Sequence, residues 1–336
     1  MKKILILILA VLILLLGAGG YVLTQKSAVE RILPWLINRT TTDFAISEFR
    51  IGRQEYRFPD AVLFEQICLT VKQKKQVYRI EIKKVDVRGI LNVIPGSLPV
   101  PIDLVSVEVS SADMELRQGL VQLAVKTSGS GEEKVAGHLR IAKLRREEYH
   151  LTNISADISG DLSFWRFKNF YAEFYGGRLQ GKILLDSKNQ MVYSVRMQVE
   201  EVDLKQLQPV NPEFFSKVKG TVAGSLDVAG TPSGIRTINA NFSVSKGGEI
   251  KASLLNYLLR YIPANSSQRK DLEKLIKSDG DVPLDRAAVE IKSLTEEKLS
   301  SRIKLFSQRF NLDVDVTLDV SVDGGFQGLL DYQKNL

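Results

Sequence analysis

Residues 176–182 carry the glycine and lysine spacing that holds phosphates in many nucleotide-binding proteins. The segment reads Gly176-Gly-Arg-Leu-Gln-Gly-Lys182, and a phosphate-binding loop needs Ser or Thr next to bind Mg²⁺. Ile183 stands in that place. The flanking residues alternate between apolar and polar, which favours strand–turn–strand over strand–loop–helix. We therefore predict a hairpin at the glycine pair and no nucleotide cofactor.

Four aspartates near the carboxyl end of the chain are candidate cation ligands. Asp313, Asp315, Asp319 and Asp323 alternate with apolar residues, so they lie on one face of a strand, in steps of about 7 Å. Ca²⁺ needs several oxygens around one point. We expect a solvated acidic face and no metal site.

The remaining residues offer little for catalysis. The chain has one cysteine, Cys68, and two histidines, His138 and His150, for which the sequence suggests no partner. Nucleophile–base pairs, hydrolase motifs and metal-binding spacings are missing. We predict that the protein is not an enzyme and that it carries no cofactor.

The charge balance argues against a nucleic-acid partner. The net charge is +7 over 336 residues, and an exported chain would not meet nucleic acid. Basic clusters at residues 72–75, 83–84 and 140–146 either contact anionic lipid headgroups or form part of a wet sheet face.

A period of two dominates the sequence from about residue 42. Apolar and polar residues alternate over residues 105–109, 193–199, 238–244 and 311–323. One apolar and one polar face per strand is typical of antiparallel sheet with one solvated side. We predict a mainly β fold with an extended, twisted antiparallel sheet.

The predicted helices are too few to cover that sheet. They form a short helical insertion at residues 253–277 and a possible turn or helix within residues 201–217, and residues 128–134 read as a loop or linker. The apolar face is therefore sealed in a sandwich or barrel, or it lines an open groove for a long apolar ligand.

The amino terminus predicts a membrane anchor. Ile4 to Leu23 is uncharged and long enough to span a bilayer, and Lys2 and Lys3 favour a cytoplasmic amino terminus. The alternative is a signal peptide cleaved near residues 18–20. We divide the chain into an anchor at residues 1–25, a helix and β region at 26–127 and a second β region at 128–336.

A short helix is expected just after the anchor. Apolar residues recur at helical spacing over residues 28–36, and Pro34 is expected to bend or end the helix. This helix lies at the membrane surface, with Trp35 and Leu36 in the interface, or it covers the core of the following domain.

The order of motifs resembles the AsmA-like family of bacterial envelope proteins over most of residues 1–330. Phe170-Tyr-Ala-Glu-Phe-Tyr-Gly-Gly-Arg-Leu-Gln-Gly-Lys-Ile183 is similar to a hairpin motif of that family, and Val202-Asp-Leu-Lys-Gln-Leu207 follows it as in the family. Residues 220–230 and 243–250 resemble its carboxyl-terminal glycine motifs.

This resemblance implies a protein anchored in the inner membrane, with a periplasmic β-rich body and a hydrophobic groove. It also implies a role in phospholipid transport or outer-membrane homeostasis, with membrane lipids as partners. Two alternating strands supply the residues we predict to line the groove: Tyr193, Val195, Met197, Val199, Leu312, Val314, Val316, Leu318 and Val320.

A second function remains open on the sequence. A closed β body would suit a scaffold or assembly factor for envelope or secretion machinery, which would bind protein partners through strand edges or the helical insertion. The oligomeric state does not follow from the sequence.

Overall fold

A computed structural model describes most of the chain between residues 26 and 321. The described ranges are 26–40, 45–58, 60–73, 76–89, 100–112, 114–125, 135–161, 163–186, 192–231, 234–244, 248–259, 264–265, 267–277, 280–295 and 298–321. The predicted anchor and the predicted linker at residues 128–134 lie outside them. No helix within these ranges has the length and apolar character to cross a membrane.

Long antiparallel strands account for most of the described chain, which confirms the mainly β prediction. Helices are few and short. The elements are α1 (Lys26–Thr40), β1 (Ala45–Arg57), β2 (Ala61–Gln73), β3 (Gln76–Val87), β4 (Val100–Ser110), β5 (Met114–Val125), β6 (Val135–Arg146), β7 (Tyr149–Gly160), β8 (Phe164–Phe174), β9 (Gly177–Asp186), β10 (Val192–Asp203), a 3-10 helix (Leu204–Leu207), α2 (Pro212–Phe215), β11 (Val218–Lys219), β12 (Thr221–Thr231), β13 (Gly234–Val244), β14 (Gly248–Lys251), a second 3-10 helix (Ala252–Leu255), α3 (Asn256–Leu259), α4 (Ser267–Lys277), β15 (Asp281–Leu284), β16 (Arg286–Thr295), β17 (Lys298–Ser307) and β18 (Leu312–Ser321).

Fifteen strands follow one another in a single sheet, in the order β1 to β10, β12, β13, β16, β17 and β18. The short strands β11, β14 and β15 form a separate sheet. The chain divides into two compact units, one ending at Lys168 and the other beginning at Asn169. We call them the N-terminal and C-terminal units. The domain boundary predicted between residues 127 and 128 falls outside the described residues and stays a prediction.

The glycine pair at residues 176–177 makes a hairpin, as predicted. Tyr175 and Gly176 have φ of 45° and 79°, and two successive positive φ values match the twist of the flanking strands β8 and β9. A strand rather than a helix follows the turn, so the local backbone is unlike a phosphate-binding loop.

Helix α1 lies along the edge strand β1 and continues through Pro34, so of the two predicted effects of this proline, bending or ending the helix, the helix end does not occur. Its side chains satisfy backbone groups of β1. Glu30 Oε1 accepts from the Ile51 N–H at 2.7 Å, and Asn38 bonds both the N–H and the carbonyl of Ile46 at 2.7 and 2.9 Å. The helix therefore covers this edge of the sheet.

A row of residues with positive φ crosses the N-terminal unit. Gln66, Ser106, Gln118 and Asn153 have φ between 50° and 54°. The strand registers place Gln66 and Ser106 on either side of Lys83. The register between β4 and β5 shifts on both sides of Val107, so Ser106 and Gln118 lie at β-bulges, which sharpen the local twist.

Each strand keeps one apolar face across this row because the apolar spacing changes from two residues to three. The buried pairs on either side of the row are Phe64 and Ile67, Ile82 and Val85, and Leu104 and Val107. Val199 and Val202 repeat this step in the C-terminal unit, where Glu201 has a φ of 55°.

Candidate functional site

The predicted residues of β10 lie on the apolar face of the C-terminal unit. Val195 pairs with Ile183 of β9 and Val228 of β12, so these side chains share one face. Tyr193 and Val195 are half-buried, whereas Met197 and Val199 are buried.

The predicted residues of β18 lie on the same face as those of β10. The registers connect Val199 to Val316 through Gly224, Phe242, Val289 and Ile303, one residue from each intervening strand. Two segments more than a hundred residues apart in sequence thus contribute to one surface. The side chain of Val320 lies outside the described residues, although its backbone pairs with Leu299.

The helical insertion covers one part of this face. We call residues 204–219 and 248–284 the cap. Leu255 and Leu272 of the cap form a buried cluster with Leu312 and Val314 of β18, and Val316 packs against that cluster. Leu312 and Val314 are therefore part of a buried core and do not line an open groove, while Val316 is half-buried at the margin of that core.

A second part of the cap covers the end of β10. Leu207 and Val210 pack against a buried cluster that contains Val199 and Val202. Asp203 and Asn211 fix this segment because their side chains accept from the backbone N–H groups of the turns that follow.

The face remains open beyond the cap. Val195, Leu226, Val228, Ile238 and Ile291 are all half-buried and lie outside the two clusters under the cap, and Ile238 and Ile291 pack against the buried Leu299. We call these five residues the open face. Val228 pairs with Val195 and Ile238, and Leu226 and Ile291 flank the small, buried Ala240. The surface is continuous across four strands.

The polar groups next to the open face are neutral or satisfied. Ser293 Oγ accepts from the Ile238 N–H at 2.7 Å and lies 3.0 Å from the Ile238 carbonyl oxygen. The hydroxyl of Tyr193 lies over Gly230, where a Cβ atom would come within 2.8 Å of it. Burial raises the pKa of Tyr193 above its ordinary value, so its side chain is uncharged at neutral pH.

The opposite face of the same strands is charged and solvated. Arg196 of β10 pairs with Asp227 of β12 at 2.8 Å. Arg302 of β17 donates to both carboxylate oxygens of Asp315, at 2.8 and 2.6 Å, and thereby lowers the pKa of Asp315. Asp313 and Asp319 are exposed on this side, which confirms the predicted wet acidic face of β18.

Trp35, Leu36 and His138 belong to the N-terminal unit. Trp35 is 56 % exposed on α1, and its interface role stays a prediction, while the side chain of Leu36 lies outside the described residues. His138 has a partner that the sequence did not suggest, because its Nδ1 lies 2.6 Å from Asp157 Oδ1 on the neighbouring strand.

Most residues of the open face do not stand out in the sequence. Its central strands, β12 and β13, contain Gly and Ala among their apolar residues. Ile238 was visible in the alternation of residues 238–244, but Leu226, Val228 and Ile291 stand in weaker patterns. The pairing of β12 with β10 was the missing signal, since pairing places a weak pattern beside a strong one.

Residues 106–242 match the AsmA family. The matched range runs from β4 to β13, so it includes β10, β12 and most of β13. It is shorter than the resemblance expected from the motifs, which extended over most of residues 1–330. No curated protein and no solved structure matches the chain.

Proposed function

We propose that this AsmA-like protein binds acyl chains of membrane lipids on the open face of its C-terminal unit. The observation that supports this is the half-buried apolar surface across β10, β12, β13 and β16, beside a cap that buries neighbouring residues of the same face. Contiguous apolar surface in contact with water is a feature of binding sites, because exposing it costs free energy.

The chemistry of the open face suits an acyl chain better than a polar ligand. Its five side chains are aliphatic, and Ser293 beside them is already hydrogen bonded. The open face crosses four strands, a width of about 14 Å at ~4.8 Å between neighbouring strands. An acyl chain occupies about half of a ~30 Å hydrocarbon core, so its length matches the width of the open face.

The cellular setting belongs to the same proposal. Ile4 to Leu23 would anchor the chain in the inner membrane, with the amino terminus in the cytoplasm and the β body in the periplasm. In that position the open face would contribute to phospholipid transport or outer-membrane homeostasis by binding, without catalysis.

The test compares two carboxylates placed on opposite faces of adjacent strands. Val228→Asp puts a charge on the open face, whereas Thr237→Asp puts one on the solvated face beside it. We expect the full chain and Thr237→Asp to retain phospholipid through purification, and Val228→Asp to lose most of it, as measured by extraction and mass spectrometry.

The two variants share the same amino terminus, so lipid held by an anchor is equal in both. Equal phospholipid content in Val228→Asp and Thr237→Asp would contradict the proposal. Specific protein partners together with lipid-free protein would favour the scaffold function instead.

A further inference from the structure

The two edge strands of the fifteen-stranded sheet, β1 and β18, differ in the hydrogen bonds that their outer backbone groups make. At the first edge, α1 donates and accepts hydrogen bonds along β1, through Lys26, Glu30 and Asn38. At the last edge, β18 pairs only with β17 among the described residues. The outward N–H and C=O groups of β18 are therefore available in the described part of the chain. Such a row of backbone groups is a template for another strand.

The side chains of β18 give this edge a defined charge. Strand β17 carries Lys298, Arg302 and Lys304 on the solvated face, and β18 carries aspartates there. Only Asp315 of β18 pairs with a β17 cation. Asp313 lies opposite Phe306 and Asp319 opposite Ser300, so both carboxylates lack a cation among the described residues.

A second copy of the chain does not fit this edge. In an antiparallel pair, directly opposed residues share a face, so the two copies would bring aspartates together. Among registers that keep the apolar side chains of both copies on one face, the two with the longest overlap of β18 with itself oppose Asp313 to Asp319, or Asp315 to Asp319. Like charges directly opposite each other destabilise a strand pair.

A strand with alternating cations matches the charge pattern and the apolar side of the β18 edge. Lys or Arg at alternate positions would lie opposite Asp313 and Asp319, continuing the alternation of basic β17 and acidic β18. The intervening apolar residues would lie beside Val314, Val316 and Leu318, on the apolar side of the sheet. Backbone hydrogen bonds would supply the remaining affinity.

We propose that the β18 edge binds an extended segment of a partner protein in which Lys or Arg alternates with apolar residues. The segment adds to the sheet as an antiparallel strand after β18. This site is separate from the open face, and the proposal does not depend on lipid binding.

The experiment uses the full chain and a fluorescent peptide of about nine residues in which Lys alternates with Val. A matched peptide carries Glu in place of Lys. We expect the Lys peptide to bind, with weaker binding at high salt, and to slow hydrogen exchange of β18 amides. The Glu peptide is expected to bind at least about tenfold more weakly, because it opposes like charges.

The charge-reversed variant sharpens this test. Asp313→Lys combined with Asp319→Lys is expected to reverse the preference, so that the Glu peptide binds more tightly than the Lys peptide. The control combines Glu213→Lys on α2 with Glu108→Lys on β4, two exposed positions outside β16, β17 and β18, which changes the net charge equally. This control should keep the preference of the original chain.

Several outcomes would overturn the proposal. They are no binding of the Lys peptide to the full chain, equal affinity for both peptides, protection of amides outside β18, or a preference that survives the charge reversal. Occupation of the edge by residues 322–336, or self-association of the chain through it, would produce the first outcome.

Discussion

The apolar faces of the two units arise from the same alternation of residues but differ in burial. In the N-terminal unit, Ile80 and Ile102 are fully buried and Phe64 is 1 % exposed. In the C-terminal unit, Val195 and Val228 on the equivalent kind of face are half-buried. A period of two thus predicts which residues share a face, but it does not predict how deeply that face is buried.

The largest expected effect comes from placing a charge on the apolar face of each unit, which tests whether the two faces differ in burial. Ile102→Asp buries a carboxylate in the sealed face, and we expect it to lower the free energy of unfolding by more than about 4 kcal/mol. Val228→Asp places the same group on the open face, where water can reach it, and should cost less than about 1.5 kcal/mol. Peptide-resolved hydrogen exchange in urea would measure both. A similar large loss for both variants would mean that the C-terminal face is also a sealed core.

The cap offers a test within the C-terminal unit. Leu272 is 1 % exposed and packs on the cluster that contains Leu312 and Val314. Leu272→Ala should destabilise the cap by about 2–4 kcal/mol, because it removes buried methyl groups and leaves a cavity. Leu294→Ala is the control, since Leu294 is 52 % exposed and its loss should change stability by less than about 0.5 kcal/mol. Unchanged exchange of the β18 amides in Leu272→Ala would show that the cap does not cover this strand.

The bulge at Gln118 can be tested by comparing two glutamines of β5. Gln118 has a φ of 52°, a conformation that costs a side chain free energy but that glycine adopts readily. Gln118→Gly is therefore expected to raise the free energy of unfolding by up to about 1 kcal/mol. Gln122, also exposed on β5, has ordinary strand geometry, and Gln122→Gly should destabilise by about 0.5–1 kcal/mol. Equal effects in thermal denaturation would argue against a bulge at residue 118.

The smallest expected effect concerns pH and the cap. Lys251 and Lys219 donate to the Asp281 carboxylate and lower its pKa, while Glu249 and Asp281 raise the pKa of Lys219. Because the pKa of Asp281 is lower in the folded state than its ordinary value of 3.8, the ionised carboxylate stabilises the fold at pH values above 3.8. This stabilisation is lost as the pH falls through the folded-state pKa. The melting temperature of Asp281→Asn should therefore fall slightly below that of the original chain from pH 5 to 8, and the difference should shrink as the pH falls below 3.8. A difference that does not shrink below pH 3.8 would exclude this ionic origin.

The sequence predicted the strands and their faces better than it predicted the site. Alternation placed Tyr193 and Val195 on the correct face, and it did the same for Leu312 and Val314. It could not show that a segment between β13 and β16 folds back over Leu312, because that contact depends on tertiary packing. It also gave no measure of which apolar residues stay near water.

Two further features depend on interactions beyond the local pattern. The spacing of three residues between buried apolar side chains, such as Leu104 and Val107, can be seen in the sequence of one strand. That sequence does not show that neighbouring strands have the same spacing at the same place. The covering of β1 by α1 depends on Glu30 and Asn38 meeting the backbone of β1, which helical periodicity does not reveal.

The most direct test of the open face is photo-crosslinking in cells that express the full chain. A photoreactive amino acid would be placed at Ile238 on the open face, at Asn239 on the solvated face of the same strand, and at Val121 on the apolar face of the N-terminal unit. We expect phospholipid adducts at Ile238 and background levels at the other two positions, measured by mass spectrometry. Equal labelling at Ile238 and Asn239, or stronger labelling at Val121, would contradict the assignment of lipid to the C-terminal face.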